Sequence, residues 1–508
     1  MAQSNAAGSM QAGAQLPALG DGSDMSSGAE RRLGERIARE IYRDPDYIDD
    51  PVLAEYVQGV WQPLLAAARL RGDLSPELSE RFAWEIMLGR DRSVNAFALP
   101  GGYFGLHLGL LAVVSSRDEL ASVLGHELSH VTQRHISRLI ANQGQQAPWV
   151  IGAMILGALA ASKNANVANA MIVGSQAAAA QSQLNFSRDM EREADRVGYG
   201  LMTQAGFEAQ GFVTMFDKLQ QASRLNDNGA YPYLRSHPLT TERIADMQSR
   251  QALGVRNQAT SAPTLEHAML AARARVLSNP GVDALRAAAM EPGSPRMAAL
   301  PMPRQVAALY SAALAASRLR DFGLAAANAD RLTALLGSDE GGAARWVRLL
   351  RVEIALASGN VAGAQAALND APAKKDSPGS GMLATRRPEL FLSAQIVLHA
   401  NQSGQLAQVN ALAQRLQMWV ADHPRDAQAW QLLSSAYAAQ GQTLRAIRAD
   451  AETQVALLDY AAALDRFKAA QDFVRKGGAA TPDHIEASII DTRRRQVESV
   501  LKEQALER

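Results

Sequence analysis

The sequence predicts an α+β fold that is predominantly helical: a first unit carrying a small sheet, followed by an α-solenoid of repeated helices. Three observations carry that expectation. Apolar residues recur at helical spacing over long stretches, as at Leu33, Ile37 and Ile41. The period then changes between Phe82 and Leu108, where short β-type runs flank the turn Pro100-Gly101-Gly102. Beyond residue 304, small turns at Asp321, Gly359, Gly404 and Gly441 recur every 37 to 45 residues, close to the ~34-residue period of tetratricopeptide helix pairs.

Composition narrows the classes. A chain of 508 residues is several times the usual domain length, so at least two domains are expected. Lys+Arg and Asp+Glu are both 51, and that balance argues against a molecule-wide nucleic-acid surface, so no nucleic-acid partner is expected. Cysteine is absent, which removes disulfides and thiolate ligands. Any metal site must therefore be built from His and carboxylates.

Residues 1–28 are rich in Gly, Ser, Ala and Gln without periodicity and read as a disordered leader. They have neither the basic start nor the apolar run of a signal peptide. An amphipathic helix is expected from Ala29 to Tyr42, and a second from Val52 to about Leu70, with the turns Asp44-Pro45 and Asp50-Pro51 between them. Strands are expected over Phe82–Leu88, Val94–Leu99 and Tyr103–Leu108. The middle one is a candidate substrate edge at Asn95, Ala96 and Phe97, because an exposed strand can hold a peptide extended by strand addition. An internal strand without a ligand role is the alternative of equal weight.

The next helix carries the chemistry. Ser116 and Glu119 have capping-box spacing, Asp118 adds charge at the positive end of the helix dipole, and Leu120, Val123, Leu124, Leu128 and Val131 form an apolar side. On such a helix the imidazoles of His126 and His130 converge, being one turn apart. Glu127 sits beside them. The pattern H-E-x-x-H is that of a zinc hydrolase: two imidazoles bind Zn²⁺, and the adjacent Glu takes a proton from a metal-bound water.

The apolar run 149–161 is too short for the ~20 residues a bilayer span needs. It reads as a buried helix or hairpin, with peripheral membrane contact as the alternative.

A third ligand must come from elsewhere, since Gln133 and Ile136 stand where a metzincin has Gly and His. His135 would lie about 140° round the helix from His130, which argues against a ligand role. The densest downstream carboxylate cluster opens a helix at Ser187-Arg-Asp-Met-Glu-Arg-Glu-Ala-Asp195. Glu191 and Asp195 share one face and Glu193 points away. The economical assignment makes Glu191 the ligand and Asp195 the acceptor behind a ligand imidazole. A solvated acidic helix start explains the same spacing equally well.

Four ordered blocks now carry a resemblance: Val94-Asn-Ala-Phe-Ala-Leu-Pro-Gly-Gly102, His126-Glu-Leu-Ser-His130, Ser187 to Asp195, and Ser236-His237-Pro238-Leu-Thr-Thr-Glu-Arg243. Together they resemble the zinc endopeptidases of the CAAX-prenyl-protease and HtpX type. The resemblance implies a gluzincin site with one Zn²⁺ per chain on His126, His130 and Glu191, Glu127 as general base, and Asp195 behind the metal. Usual members carry transmembrane helices around this core. Their lack here points to a soluble branch, and the helical second half resembles its periplasmic members, which carry tetratricopeptide repeats and act in outer-membrane protein quality control in Gram-negative bacteria. A cleaved signal is normal in that branch, so Met1 is not expected to be the natural start.

His237 has two site readings beside that of a turn histidine satisfied locally. It donates to the developing oxyanion, or it fills the open coordination position and holds the enzyme latent. The blocks favour a site role, and Arg243 is expected to order the site through an ion pair.

The expected organisation is a leader at 1–28, a metallopeptidase domain at 29–255, a connector with one or two short helices at 256–303, tetratricopeptide-like repeats at 304–480 and a C-terminal helix at 481–508. Trp430 to Gly441 followed by Ala446 is the clearest repeat unit, Asp459 to Ala470 matches a second-helix pattern, and Lys374 to Gly381 reads as a loop. Such repeats bind peptides or partner proteins. Two function classes follow. One is a peptidase acting on unfolded or misassembled envelope proteins, with repeats that recruit substrate or the outer-membrane assembly machinery. The other is a chaperone-like adaptor whose peptidase core is latent. Glu127 favours the first, because an adaptor has no use for a general base.

Overall fold

The structure, a computed structural model, describes residues 25–142, 187–224, 230–250, 264–337, 342–370, 386–400, 406–476 and 483–506. Most of the expected leader, the run 149–161, the loop from Lys374 to Gly381 and the turn at Gly404 lie outside the described residues.

Helix α1 (Ser27–Arg43) begins ahead of Ala29 because the Ser26 hydroxyl accepts a hydrogen bond from the Ala29 N–H. Helix α2 (Pro51–Arg71) has a stronger start: Asp50 accepts from the Leu53 N–H, and Pro51 supplies a pre-set φ. It ends at Gly72, whose φ of 77° suits a glycine. Its apolar face, with Leu53, Val60, Trp61 and Leu64 almost fully buried, forms one wall of the main core.

After the short helix α3 (Pro76–Arg81) come the strands β1 (Glu85–Gly89), β2 (Ala96–Leu99) and β3 (Tyr103–His107). The first starts later than its composition suggests, since Phe82 caps α3 and Trp84 turns the chain with φ 52°. The order is β1-β3-β2, with β1 parallel and β2 antiparallel to β3. Among the described strands β2 is therefore at an edge, packed against the helix at Arg117–Thr132.

Helices α4 (Leu108–Val113), α5 (Arg117–Thr132) and α6 (His135–Asn142) lead out of the sheet. Then come α7 (Arg188–Gln204), α8 (Gln210–Arg224), α9 (Tyr233–Ser236) and α10 (Thr241–Arg250). Helix α5 is central: α2, α7, α8 and β2 all pack on it, and every residue from Glu119 to Thr132 is buried.

The rest is helical. The segment expected to connect the two units holds α11 (Leu265–Ser278) and α12 (Val282–Met290). Helix α11 is no loose linker, since its Met269, Leu270, Ala272 and Ala274 are buried and it packs on α4 and on α13 (Met302–Arg318). Helices α14 (Phe322–Leu336), α15 (Gly342–Ala357) and α16 (Val361–Asn369) follow. After them come α17 (Arg387–Ala400), α18 (Leu406–Asp422), α19 (Ala427–Ala439), α20 (Thr443–Ala456), α21 (Tyr460–Arg475) and α22 (His484–Leu506). Consecutive helices pack on one another. The expected turns have local causes: Asp321 caps α14, Asn360 caps α16 after Gly359 at φ 77°, and Gly441 at φ 73° separates α19 from α20. Among the described residues, no helix is long and apolar enough to cross a membrane.

Three arginines of the helical half grip the start of α2. Arg273 bonds Asp50 and Glu353, Arg345 bonds Glu55 and Glu389, and Arg387 bonds Asp49 and Asp426, each pair at 2.6 to 2.8 Å. A planar guanidinium suits such two-carboxylate clamps, and Arg273 is buried, so removal of one partner would strand a charge at a cost of about 3–5 kcal/mol. The sheet-bearing unit and the helices are thereby held in one orientation.

Candidate metal centre

The start of α5 is pinned. The Ser116 hydroxyl accepts from the Glu119 N–H at 3.2 Å, and the Glu119 carboxylate accepts from the Ser115 N–H at 2.6 Å, one residue earlier than a regular capping box would have it. Lys218 of α8 donates to the same carboxylate. The helix thus enters the core in a fixed rotation with His126, Glu127 and His130 facing inward, each at 2% exposure or less.

Helix α7 crosses α5 almost backbone to backbone. A Cβ on Gly198 would lie 2.9 Å from the His126 N and 3.0 Å from the Gly125 carbonyl carbon, so only glycine permits this approach. Capped by Ser187, α7 then carries Glu191 and Asp195 on the face turned to the histidines, both at 1% exposure.

His126, His130, Glu191 and His237 each offer a donor atom, all within 4.8 Å of one another. His126 Nε2 lies 3.0 Å from His130 Nε2 and 3.3 Å from His237 Nδ1. Glu191 lies 2.9 Å from His237 Nδ1 and 3.5 Å from each of His126 Nε2 and His130 Nε2. Ligands about 2.05 Å from a tetrahedral zinc are spaced about 3.3 Å apart. The donor set and its spacing therefore fit a zinc-sized cation, and lone pairs facing one another at these distances in a buried site call for one.

Behind the donors stands a second set of groups. His126 Nδ1 lies 2.9 Å from Asp195 Oδ1. Arg243 of α10 forks onto Asp195 at 2.6 and 2.8 Å, and its Nη1 also reaches Glu191 Oε2 and the Pro238 carbonyl, both at 2.8 Å. Burial alone would raise the Asp195 carboxyl, but Arg243 and His126 hold it below its ordinary range. Glu191 is likewise held well below, burial being outweighed by His237 and His126. Burial lowers the His126 imidazole, yet Asp195 and Glu191 lift it to about 10. Burial keeps His130 well below the usual histidine range, hence neutral.

Glu127 is 1% exposed, and burial pushes its carboxyl above the usual range, the direction a general base near neutrality needs. The His237 ring lies between this base and the donor cluster. Its Nδ1 faces Glu191 and His126, and its Nε2 is 3.5 Å from Glu127 Oε1. The ring also packs on Tyr233, centroids 4.6 Å apart.

Asn95, Ala96 and Phe97 differ in what they present. The Asn95 carbonyl accepts from His107 N–H at 3.0 Å and so faces the sheet. Antiparallel alternation then turns the Phe97 main chain inward and the Ala96 and Ala98 main chains outward. One position earlier, Val94 is already paired: its N–H donates to the Ala230 carbonyl at 2.8 Å, and its carbonyl accepts from the Tyr233 N–H at 3.3 Å.

Sequence reasoning missed several residues. His135 stands outside the donor cluster, as expected, but not where one straight helix would put it: α5 ends at Thr132 and Arg134 turns with φ 55°. His135 therefore swings back to place its Nδ1 3.0 Å from His130 Nδ1, and Glu193, expected to point away, meets His135 Nε2 at 3.0 Å. Gly198 and Tyr233 belong to no spacing pattern. The isolated Gly-x-Gly in α7 was the one available signal for the former.

Comparison with known proteins agrees with this geometry. The description "Peptidase family M48" matches residues 55–251. The chain is 34% identical over 273 residues to the putative beta-barrel assembly-enhancing protease of Vibrio cholerae, covering 53% of this chain and 54% of that protein. It is 32% identical over 241 residues to the beta-barrel assembly-enhancing protease of Escherichia coli, covering 46% and 47%. With the Yersinia pestis protein of that name it shares 30% identity over 447 residues, 86% of this chain and 83% of that one. The matches thus span about half the length of the first two relatives and most of the third.

Proposed function

This chain belongs to peptidase family M48, and on that premise we propose that it is a zinc-dependent endopeptidase that hydrolyses peptide bonds of misfolded or misassembled outer-membrane proteins in the periplasm. The observation that carries the reading is the buried cluster of His126, His130 and Glu191 with Glu127 beside it.

His126, His130 and Glu191 would hold the ion, two imidazoles and a carboxylate being a donor set of catalytic zinc. Zinc held there would supply Lewis acidity toward water and toward a peptide carbonyl. Glu127 takes the proton of the attacking water and returns it to the leaving amine. Asp195 fixes the His126 ring through Nδ1, and Arg243 holds Asp195 and Glu191 together. An extended substrate pairs with the edge proposed at Asn95, Ala96 and Phe97, chiefly through the outward main chain of Ala96 and of the neighbouring Ala98.

The name of these relatives supports a role at β-barrel assembly, and with it an envelope location. In this reading the residues from 29 to 255 form the catalytic unit, those from 304 to 480 are tetratricopeptide-like repeats that recruit substrate or assembly-machinery partners, and the arginine clamps keep the two in register.

A second reading, an adaptor for outer-membrane protein assembly with a latent core, is favoured by one observation: His237 fills the space between Glu127 and the donors. Digestion of casein or an unfolded porin separates the two. The expected result is cleavage by the wild type and none by Glu127→Gln, and equal activity in both would refute the peptidase reading.

A further inference from the structure

We propose that His135 is a positioning residue that carries the hold of Glu193 to the metal-facing His130. His126 has a direct carboxylate behind it in Asp195, 2.9 Å from its Nδ1. His130 meets another imidazole at its Nδ1. Its neighbour there is the Nδ1 of His135 at 3.0 Å, and the far nitrogen of His135 lies 3.0 Å from Glu193 Oε2.

The tautomers follow from the chain of contacts. If His130 presents the Nε2 lone pair to a cation, its Nδ1 carries the hydrogen and donates to His135 Nδ1. His135 must then carry its own hydrogen on Nε2 and donate it to Glu193, a carboxylate that only accepts. One arrangement of protons satisfies every member. Arg138 closes the line, its Nη1 3.0 Å from the same Glu193 oxygen. A metal-ligating imidazole whose other nitrogen is anchored in this way keeps its tautomer and ring orientation.

The backbone supports the same assignment. A continuous helix would carry His135 away from His130, and what returns it is the left-handed Arg134, a conformation that is strained for a residue with a Cβ. That turn is held by Arg134 itself, whose guanidinium reaches Glu30 at 3.0 Å, the Ser137 hydroxyl at 3.2 Å and the Met25 carbonyl. Glu30 is 1% exposed and lies on α1, so the first helix braces the turn that delivers His135. His135 itself is fully buried.

The inference rests on the metal reading above, and its test separates the two. Zinc affinity is measured by competition with a chromophoric chelator in the full chain, for the wild type, His135→Phe, His135→Gln and Glu193→Ala, with circular dichroism and Tm recorded for each. Phe keeps the ring and loses the acceptor. Gln keeps an acceptor and a donor. The expected outcome is about 10- to 100-fold weaker zinc binding in His135→Phe, a smaller loss in Glu193→Ala, and recovery toward wild type in His135→Gln, with unchanged circular dichroism. Wild-type affinity in His135→Phe would overturn the inference, as would equal losses in the Phe and Gln variants, which would mark His135 as packing alone. A wild type that binds no zinc would overturn the metal reading and this inference with it.

Discussion

His237 Nδ1 lies 3.3 Å from His126 Nε2 while its Nε2 lies 3.5 Å from Glu127. One imidazole thus touches both the donor cluster and the base that should act on a water between them. The two readings of His237, guard of the open position and oxyanion donor, predict opposite effects of its removal. Turnover of an unfolded porin by His237→Ala is expected to exceed wild type by about tenfold or more, since each ~1.4 kcal/mol of lost competition frees the position tenfold. A lower rate would favour the oxyanion role.

Gly198 sets how closely α7 approaches the metal helix, and alanine there would drive a methyl into the His126 backbone. Gly198→Ala is expected to cost about 1–3 kcal/mol and to weaken zinc retention, because the shift moves Glu191 and Asp195 away from the histidines. Gly293→Ala, where the added carbon meets nothing within 4 Å, serves as the control. Thermal unfolding and zinc retention under dialysis check both.

That crossing also marks the limit of what the sequence reveals. His126, Glu127 and His130 are legible because one helical turn suffices to bring them together, and Glu191 and Asp195 because they share a turn of their own. That the two helices meet, and where, depends on the absence of a side chain at Gly198, which leaves no periodic trace. The contact between His135 and His130 is hidden for a related reason, since a single left-handed residue at Arg134 undoes the azimuth argument. The strands were legible by type and displaced by a few residues at their starts, where Phe82 and Trp84 serve the turn after α3 instead. In the helical half the turns at Asp321, Gly359 and Gly441 were readable because each has its own capping residue or glycine.

Zinc binding is expected to release one proton. In the metal-free site Asp195 and Glu191 hold His126 up to about 10, against the effect of burial, while His130 is neutral and Glu191 is already ionised. Below about pH 10 a proton therefore competes with the metal for His126, so affinity falls as pH falls, by about tenfold per unit. Calorimetric titrations at about pH 8 in two buffers of different ionisation enthalpy should return one proton released per zinc. No buffer dependence would contradict the assigned charge state.

The joint between the two halves can be tested at its most buried member. Arg273→Met leaves Asp50 and Glu353 without their shared cation, and a loss of about 3–5 kcal/mol is expected, read as a lower Tm. The double variant Arg273→Met/Asp50→Asn should recover part of it, because it removes the stranded charge. A Tm unchanged in Arg273→Met would mean that the clamp contributes nothing net.

Zinc on His126, His130 and Glu191 is the central expectation. Elemental analysis of the purified wild type and of His126→Ala/His130→Ala, both after dialysis against a weak chelator, tests it most directly. The predicted result is about one zinc per chain in the wild type and none in the double variant. A wild type without zinc, or a double variant that retains it in full, would contradict the assignment.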